Sequence, residues 1–160
     1  MSRHGRSGAG WTGILVVAAC LAVSAQSRAP RTVVFVCEHG AARSVIAAAY
    51  FNKLAAERHL DFHAVARGAT PQPDLSVATV EGLDKDGIAF PADKPRALIE
   101  ADVRGAVRIV AFCPLPPLAK QARVDAHEVP APSDGYDASR DAILVHVKAL
   151  IDELAGSRPR

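Results

Sequence analysis

Apolar positions fall into two alternating rhythms along this chain. Val33-Val34-Phe35-Val36 run without interruption into Cys37. Such a run of mostly β-branched residues predicts a strand buried on both faces, from about Thr32 to Cys37. Ala47, Tyr50, Phe51, Leu54 and Ala55 then recur at i, i+3, i+4, i+7 and i+8, which predicts a helix over roughly Ser44 to His59. Phe62, Ala64 and Ala66 alternate through a second strand, Asp61 to Ala66. Pro71 and Pro73 break the chain, and a second helix follows from Leu75 to Asp86, stopped by Gly87. A short helix is expected around Pro95 to Glu100, with Ala101 to Ala106 turning toward a third strand, Val107 to Cys113. Pro114, Pro116 and Pro117 forbid regular structure nearby. A weak strand is expected near Val124 to Val129. The last helix, Ala138 to Ala155, carries a one-sided stripe of Ile143, Leu144, Val147, Leu150, Ile151 and Leu154.

Strands alternating with helices argue for an α/β fold with a parallel sheet covered on both faces. Ligands of such sheets bind beyond the carboxyl ends of the strands. The loop after the first strand reads Cys37-Glu38-His39-Gly40-Ala41-Ala42-Arg43-Ser44. It stands where the N–H groups of a starting helix have no intrahelical partner, a ready site for an oxyanion. Helix N-termini and neighbouring guanidinium groups stabilise thiolates. Arg43 offers a planar fork for two oxygens of a tetrahedral anion. Ser44 is placed to cap the helix or to donate to the Cys37 sulfur. Together these residues make a nucleophile aimed at the centre of a phosphate-like ion held by residues 38–44. The plainer alternatives are Cys37 as a small buried apolar residue and Arg43 as a surface ion-pair partner. Glu38 sits awkwardly in such a cradle, because its carboxylate repels an anion unless it points to solvent.

Cys-x5-Arg-Ser after a first strand resembles the low-molecular-weight protein tyrosine phosphatases and the arsenate reductases that share their fold. The loop is most similar to the arsenate-reductase style, in which His and Asn tend to stand at the places of His39 and Gly40; Gly40 departs from that pattern. Val65-Ala66-Arg67-Gly68-Ala69-Thr70 is similar to the family's second strand and Gly-Thr turn, and Ile109-Val110-Ala111-Phe112-Cys113 to its next central strand. The likeness covers about residues 31–155. It implies a three-layer α/β sandwich with four parallel strands in the order 2-1-3-4, and Cys37 as nucleophile toward phosphate or arsenate. In thioredoxin-linked arsenate reductases a second cysteine at a similar strand end attacks the first after reaction. Cys113 could be that resolving thiol or a plain core residue. Those enzymes carry a third cysteine in a segment that here runs from Pro114 to Lys120 and holds none.

Cleaving a phosphate monoester also calls for a proton on the leaving oxygen. The resembling phosphatases take it from an Asp-Pro pair before the last helix. Here that place reads Val129-Pro130-Ala131-Pro132-Ser133-Asp134-Gly135, with Ala131 where the aspartate would be. Asp134 is the nearest substitute, or else an exposed turn residue. Asp137 is second choice, with a helix cap as its alternative. His39 can bond a loop carbonyl or act as a base. His63, His127 and His146 have no metal-ligand spacing, so neither a metal nor a cofactor is expected.

Composition adds a leader and removes one partner class. The chain has 160 residues and a formal net charge of +2. With no basic stripe interleaved with aromatics, nucleic acid is not an expected partner. Arg3, His4 and Arg6 precede an apolar run from Ile14 to Val23, too short to span a bilayer comfortably. Val23-Ser24-Ala25 reads as a signal-peptidase site. Val17-Ala18-Ala19-Cys20 also resembles a lipobox, in which Cys20 would be lipidated. The alternatives are an uncleaved anchor or a start codon placed too early. The expected layout is a leader and linker over 1–30, a domain over 31–155 and a tail over 156–160, with the mature protein periplasmic or lipid-anchored. Cleavage after Ala25 leaves Cys37 and Cys113, which an oxidising compartment exposes to pairing or oxidation. A thiol enzyme there needs a reductant or a protective pairing.

Three functions fit. The leading one is hydrolysis of phosphate monoesters through a cysteinyl-phosphate. The second is thiol-dependent arsenate reduction at the same loop, which protonates no departing alcohol. The third is oxyanion binding without turnover.

Overall fold

The computed structural model describes residues 30–91, 93–119 and 124–157. The leader with Cys20 and residues 158–160 of the tail lie outside the described residues. The elements are β1 (Arg31–Cys37), α1 (Arg43–Glu57), β2 (Phe62–Gly68), α2 (Val77–Lys85), α3 (Glu100–Gly105), β3 (Ala106–Ala111), β4 (Val124–Ala126) and α4 (Tyr136–Gly156). Single 3-10 turns cover Pro117–Ala119 and Pro132–Asp134.

The four strands form one parallel sheet in the order β2-β1-β3-β4. The uninterrupted apolar run makes the inner strand because it has two faces to fill. Val33, Phe35 and Cys37 enter the cluster shared with Phe51, Ile143, Val147 and Ile151 from α1 and α4. Val34 and Val36 enter the opposite cluster with Leu98, Ile109 and Ala119. Phe35 meets Phe51 edge-on at 5.7 Å and stacks on Phe112 at 6.3 Å. In this register Cys37 pairs with Gly68, and Val36 pairs with both Arg67 and Ala111. The ends of three strands therefore meet at one edge of the sheet. Asn52 blunts the outer edge of β2, donating to Ala64 O at 3.0 Å and accepting from Ala64 N at 2.7 Å.

The helix expected over Pro95 to Glu100 is not there. That stretch lies extended along the end of β2: Gly68 N donates to Arg96 O at 2.8 Å, and Leu98 N donates to Gly68 O at 2.9 Å. Helix begins only at Glu100, where Asp102 accepts from Ile99 N at 3.1 Å and takes both forks of Arg67 at 2.8 Å. The segment expected to be a turn, Ala101 to Ala106, is thus mostly helix. β4 keeps three residues of the expected six. His127 N still donates to Ala111 O at 2.8 Å before the chain leaves the sheet.

Candidate functional site

β1 carries Cys37 to the carboxyl edge of the sheet, and five residues later α1 begins. The carbonyls of this loop are pinned outward by the segment after β2. Ala69 N donates to Cys37 O at 3.0 Å, Thr70 N to Glu38 O at 2.8 Å, Gln72 N to His39 O at 3.2 Å and Ser76 N to Ala41 O at 2.9 Å. Among the described residues the N–H groups of residues 38–43 donate to no backbone carbonyl. Gly40 has φ +64°, and a Cβ there would stand 2.7 Å from Gly68 N. Any larger residue would separate the two backbones, so the departure at Gly40 suits the close packing of the loop on β2.

The Cys37 sulfur lies 3.1 Å from Ser44 Oγ. Ser44 is fully buried, and it does not cap α1, whose N-cap is Ala42 without a side-chain bond. Cys37 is only 3% exposed, at the end of a fully buried apolar run, Val33 to Val36. It nevertheless lines a cavity of about 270 Å³ together with Glu38, His39, Ala41, Ala42 and Arg43. Gln72 and Ser76, bonded to the loop, and Ala131, Pro132 and Ser133 complete the lining. Arg43 Nη1 donates to Val129 O at 3.4 Å, a long bond, and Arg43 also borders a larger cavity of about 680 Å³. That second cavity is lined by Cys113, Pro114, His127 and Glu128 among others. Cys37 and Cys113 are both free thiols. Burial pushes the Cys113 thiol up to about 11; the charges of Cys37 and Glu38 add to this and Arg43 opposes it.

The two candidate acids stand apart from the cavity lining. Asp134 is exposed, at the end of the turn whose first residues form the wall, and Ser133 Oγ donates to its Oδ1 at 3.4 Å. Asp137 pairs with Arg140 at 2.8 Å and with Lys85 at 3.8 Å on the surface of α4, and makes no cap bond. The Glu38 carboxylate accepts from Thr70 Oγ1 at 2.8 Å. His127 and His146 stack with ring centroids 3.7 Å apart, and burial, with His127 beside it, lowers the His146 pKa. Among the described residues no three metal-ligating side chains come together.

One cluster was not foreseen. Asp86 accepts from Tyr50 at 2.6 Å, Tyr136 at 2.9 Å and Arg140 at 3.1 Å, tying α1, α2 and α4 together. Burial alone would raise the Asp86 pKa; the three donors outweigh it and hold the carboxyl below its ordinary value. Burial, reinforced by Asp86, pushes Tyr50 up to about 12. The Tyr136 ring lies flat on Gly82, where a Cβ would meet it at 2.3 Å. Ser139, fully buried, donates to Pro130 O at 2.8 Å. Tyr136 and Ser139 thereby fix both ends of the 131–135 segment. The only sequence signal was the i, i+4 spacing of Tyr136 and Arg140.

No family model matches the chain, and no curated protein does. Solved structures do. YfkJ from Bacillus subtilis is 20% identical, with a TM-score of 0.73 over 83% of this chain and 99% of that one. A thioredoxin-dependent arsenate reductase of Corynebacterium glutamicum is 20% identical, with a TM-score of 0.65 over 83% of this chain and 65% of that one. A low-molecular-weight protein tyrosine phosphatase from T. tengcongensis is 22% identical, with a TM-score of 0.66 over 76% of this chain and 98% of that one. The chain therefore has the fold shared by low-molecular-weight phosphatases and arsenate reductases.

Proposed function

We propose that this chain, with the fold of the low-molecular-weight phosphatases, is a cysteine-dependent hydrolase of phosphate monoesters. The carrying observation is the Cys37 sulfur beside Ser44 Oγ, in a cavity bounded by a loop whose carbonyls at Cys37, Glu38, His39 and Ala41 are taken by the segment after β2. Amide hydrogens fixed before the ligand arrives stabilise developing charge without reorganisation. In this reading the N–H groups of residues 38–43, with Arg43, hold the three non-bridging oxygens. The Cys37 sulfur attacks phosphorus in line, forming S–P as the P–O bond to the leaving group breaks. Asp134, swung inward with its exposed turn, gives the departing oxygen its proton. It then takes one from water, whose oxygen displaces the sulfur and releases inorganic phosphate. The leader supports export, where the thiolate would depend on a reductant.

A second reading is thiol-dependent arsenate reduction. It is favoured by the wall over Cys37, where Ala131, Pro132 and Ser133 bring no carboxylate. Cys37 would displace hydroxide from arsenate, and a second thiol would attack the sulfur, leaving a disulfide and arsenite. The raised pKa of Cys113 makes it a poor attacking thiol at neutral pH and favours an external one. The test compares fully reduced protein on p-nitrophenyl phosphate, on an alkyl phosphate, and on arsenate with thioredoxin or small thiols. Hydrolysis of p-nitrophenyl phosphate supports the phosphatase. Arsenite production without hydrolysis replaces it with the reductase. Phosphate binding with neither leaves an oxyanion-binding protein.

A further inference from the structure

Among the described residues Glu38 is the single acidic residue lining the cavity over Cys37, and no Phe, Tyr or Trp lines it. The carboxylate is held in place by the Thr70 hydroxyl at 2.8 Å, while Thr70 N fixes the Glu38 carbonyl at 2.8 Å. Among the described residues no Lys or Arg forms an ion pair with it. Its charge is nonetheless felt at the neighbouring Cys113.

A phosphate in this cavity would lie beside a residue whose carboxylate has no cationic partner among the described residues, and the two repel. A positive group between them turns that repulsion into two attractions. We propose that Glu38 selects phosphate monoesters whose leaving group carries an ammonium group close to the phosphate, aminoalkyl phosphates being the simplest class. The inference rests on reading the cavity as a phosphate site. The loop amides and Arg43 take the phosphoryl oxygens, and Glu38 accepts a charge-assisted hydrogen bond from the ammonium. The absence of aromatic walls leaves no stacking platform for an aryl leaving group.

The experiment is calorimetric titration of the full chain carrying Cys37→Ser, at low salt, with phosphoethanolamine and with ethyl phosphate. Phosphoethanolamine should bind about 5-fold more tightly. The advantage should disappear when Glu38→Gln is added and shrink with Thr70→Val, which leaves the carboxylate but not its tether. Glu38→Gln should also bind inorganic phosphate more tightly than its parent, and salt should erode the preference. Equal affinities, no binding of either ester, or an advantage that survives Glu38→Gln overturns the proposal. So does an equal loss of turnover on both esters in Glu38→Gln at unchanged relative affinity, which would make Glu38 a proton donor. Hydrolysis of p-nitrophenyl phosphate by the unsubstituted protein is followed in parallel. It reports on the phosphatase reading and not on charge selection, so the two failures are told apart.

Discussion

Two walls of the Cys37 cavity are built by opposite means. On one side the loop 37–43 follows Val33 to Val36, all fully buried, and four of its carbonyls are pinned by residues 69–76. On the other side Ala131 to Ser133 belong to a turn held by its own short bonds, Asp134 N to Ala131 O at 3.0 Å and Gly135 N to Pro132 O at 3.2 Å. The ends of that turn are anchored through Ser139 and Tyr136, and Pro132 is buried within it. The first wall must be rigid, because preorganised donors work only if they need not move. In the proposed hydrolysis the second wall would meet the leaving group, so its chemistry could change without disturbing the cradle. A chain with an intact cradle and a wall lacking the expected aspartate is consistent with that division.

The largest effects should come from the cradle. Cys37→Ser should lower p-nitrophenyl phosphate hydrolysis by about 10⁴-fold or more and leave phosphate binding measurable. Hydrolysis that survives would mean the cradle holds no nucleophile. Arg43→Lys should cost about 10²-fold in kcat, since a point charge replaces a two-pronged donor. A change confined to KM would place Arg43 in ground-state binding only.

The second wall should respond more selectively. Asp134→Asn should slow an alkyl phosphate by about 10²-fold and leave p-nitrophenyl phosphate nearly unchanged, because nitrophenolate departs without a proton. If both substrates are unaffected, the wall takes no part in proton transfer. The stretch Ala131 to Ser133, which brings no carboxylate to the cavity over Cys37, then weighs toward arsenate.

The same contrast explains what could be read in advance. β1, the loop and α1 form one contiguous stretch in which burial on two faces, a helix start and the Cys-to-Arg spacing all leave local marks. The strand end at Cys37, the loop after it and the helix start were legible for that reason, as was the strand order through the family likeness. Ala97 misled because its partner, Gly68, is 29 residues away, and apolar residues near a proline look alike in a helix or an extended strip. The Asp86 cluster left almost no trace, because Tyr50 and Tyr136 lie on helices that meet Asp86 only in the folded chain. Whether the wall carries an acid depends on such distant anchors, and spacing within 129–137 could not decide it.

The smallest effect tests those anchors. Tyr136→Phe removes one of three donors to Asp86 while keeping the ring on Gly82. The loss should be about 1 kcal/mol at pH 7, or about 3 °C in Tm. Its pH dependence identifies the cause. The folded pKa of Asp86 lies below its unfolded value, so its carboxylate stabilises the fold above the unfolded pKa of about 4 and ceases to do so as pH falls through the folded one. The gap between parent and Tyr136→Phe should therefore narrow below about pH 4. Gly82→Ala drives a Cβ into the Tyr136 ring and should lower Tm by a similar amount at every pH, because packing carries no proton. A Tyr136→Phe gap as flat as that of Gly82→Ala would assign the anchor to the ring alone, with the Asp86 carboxylate contributing nothing to holding the second wall.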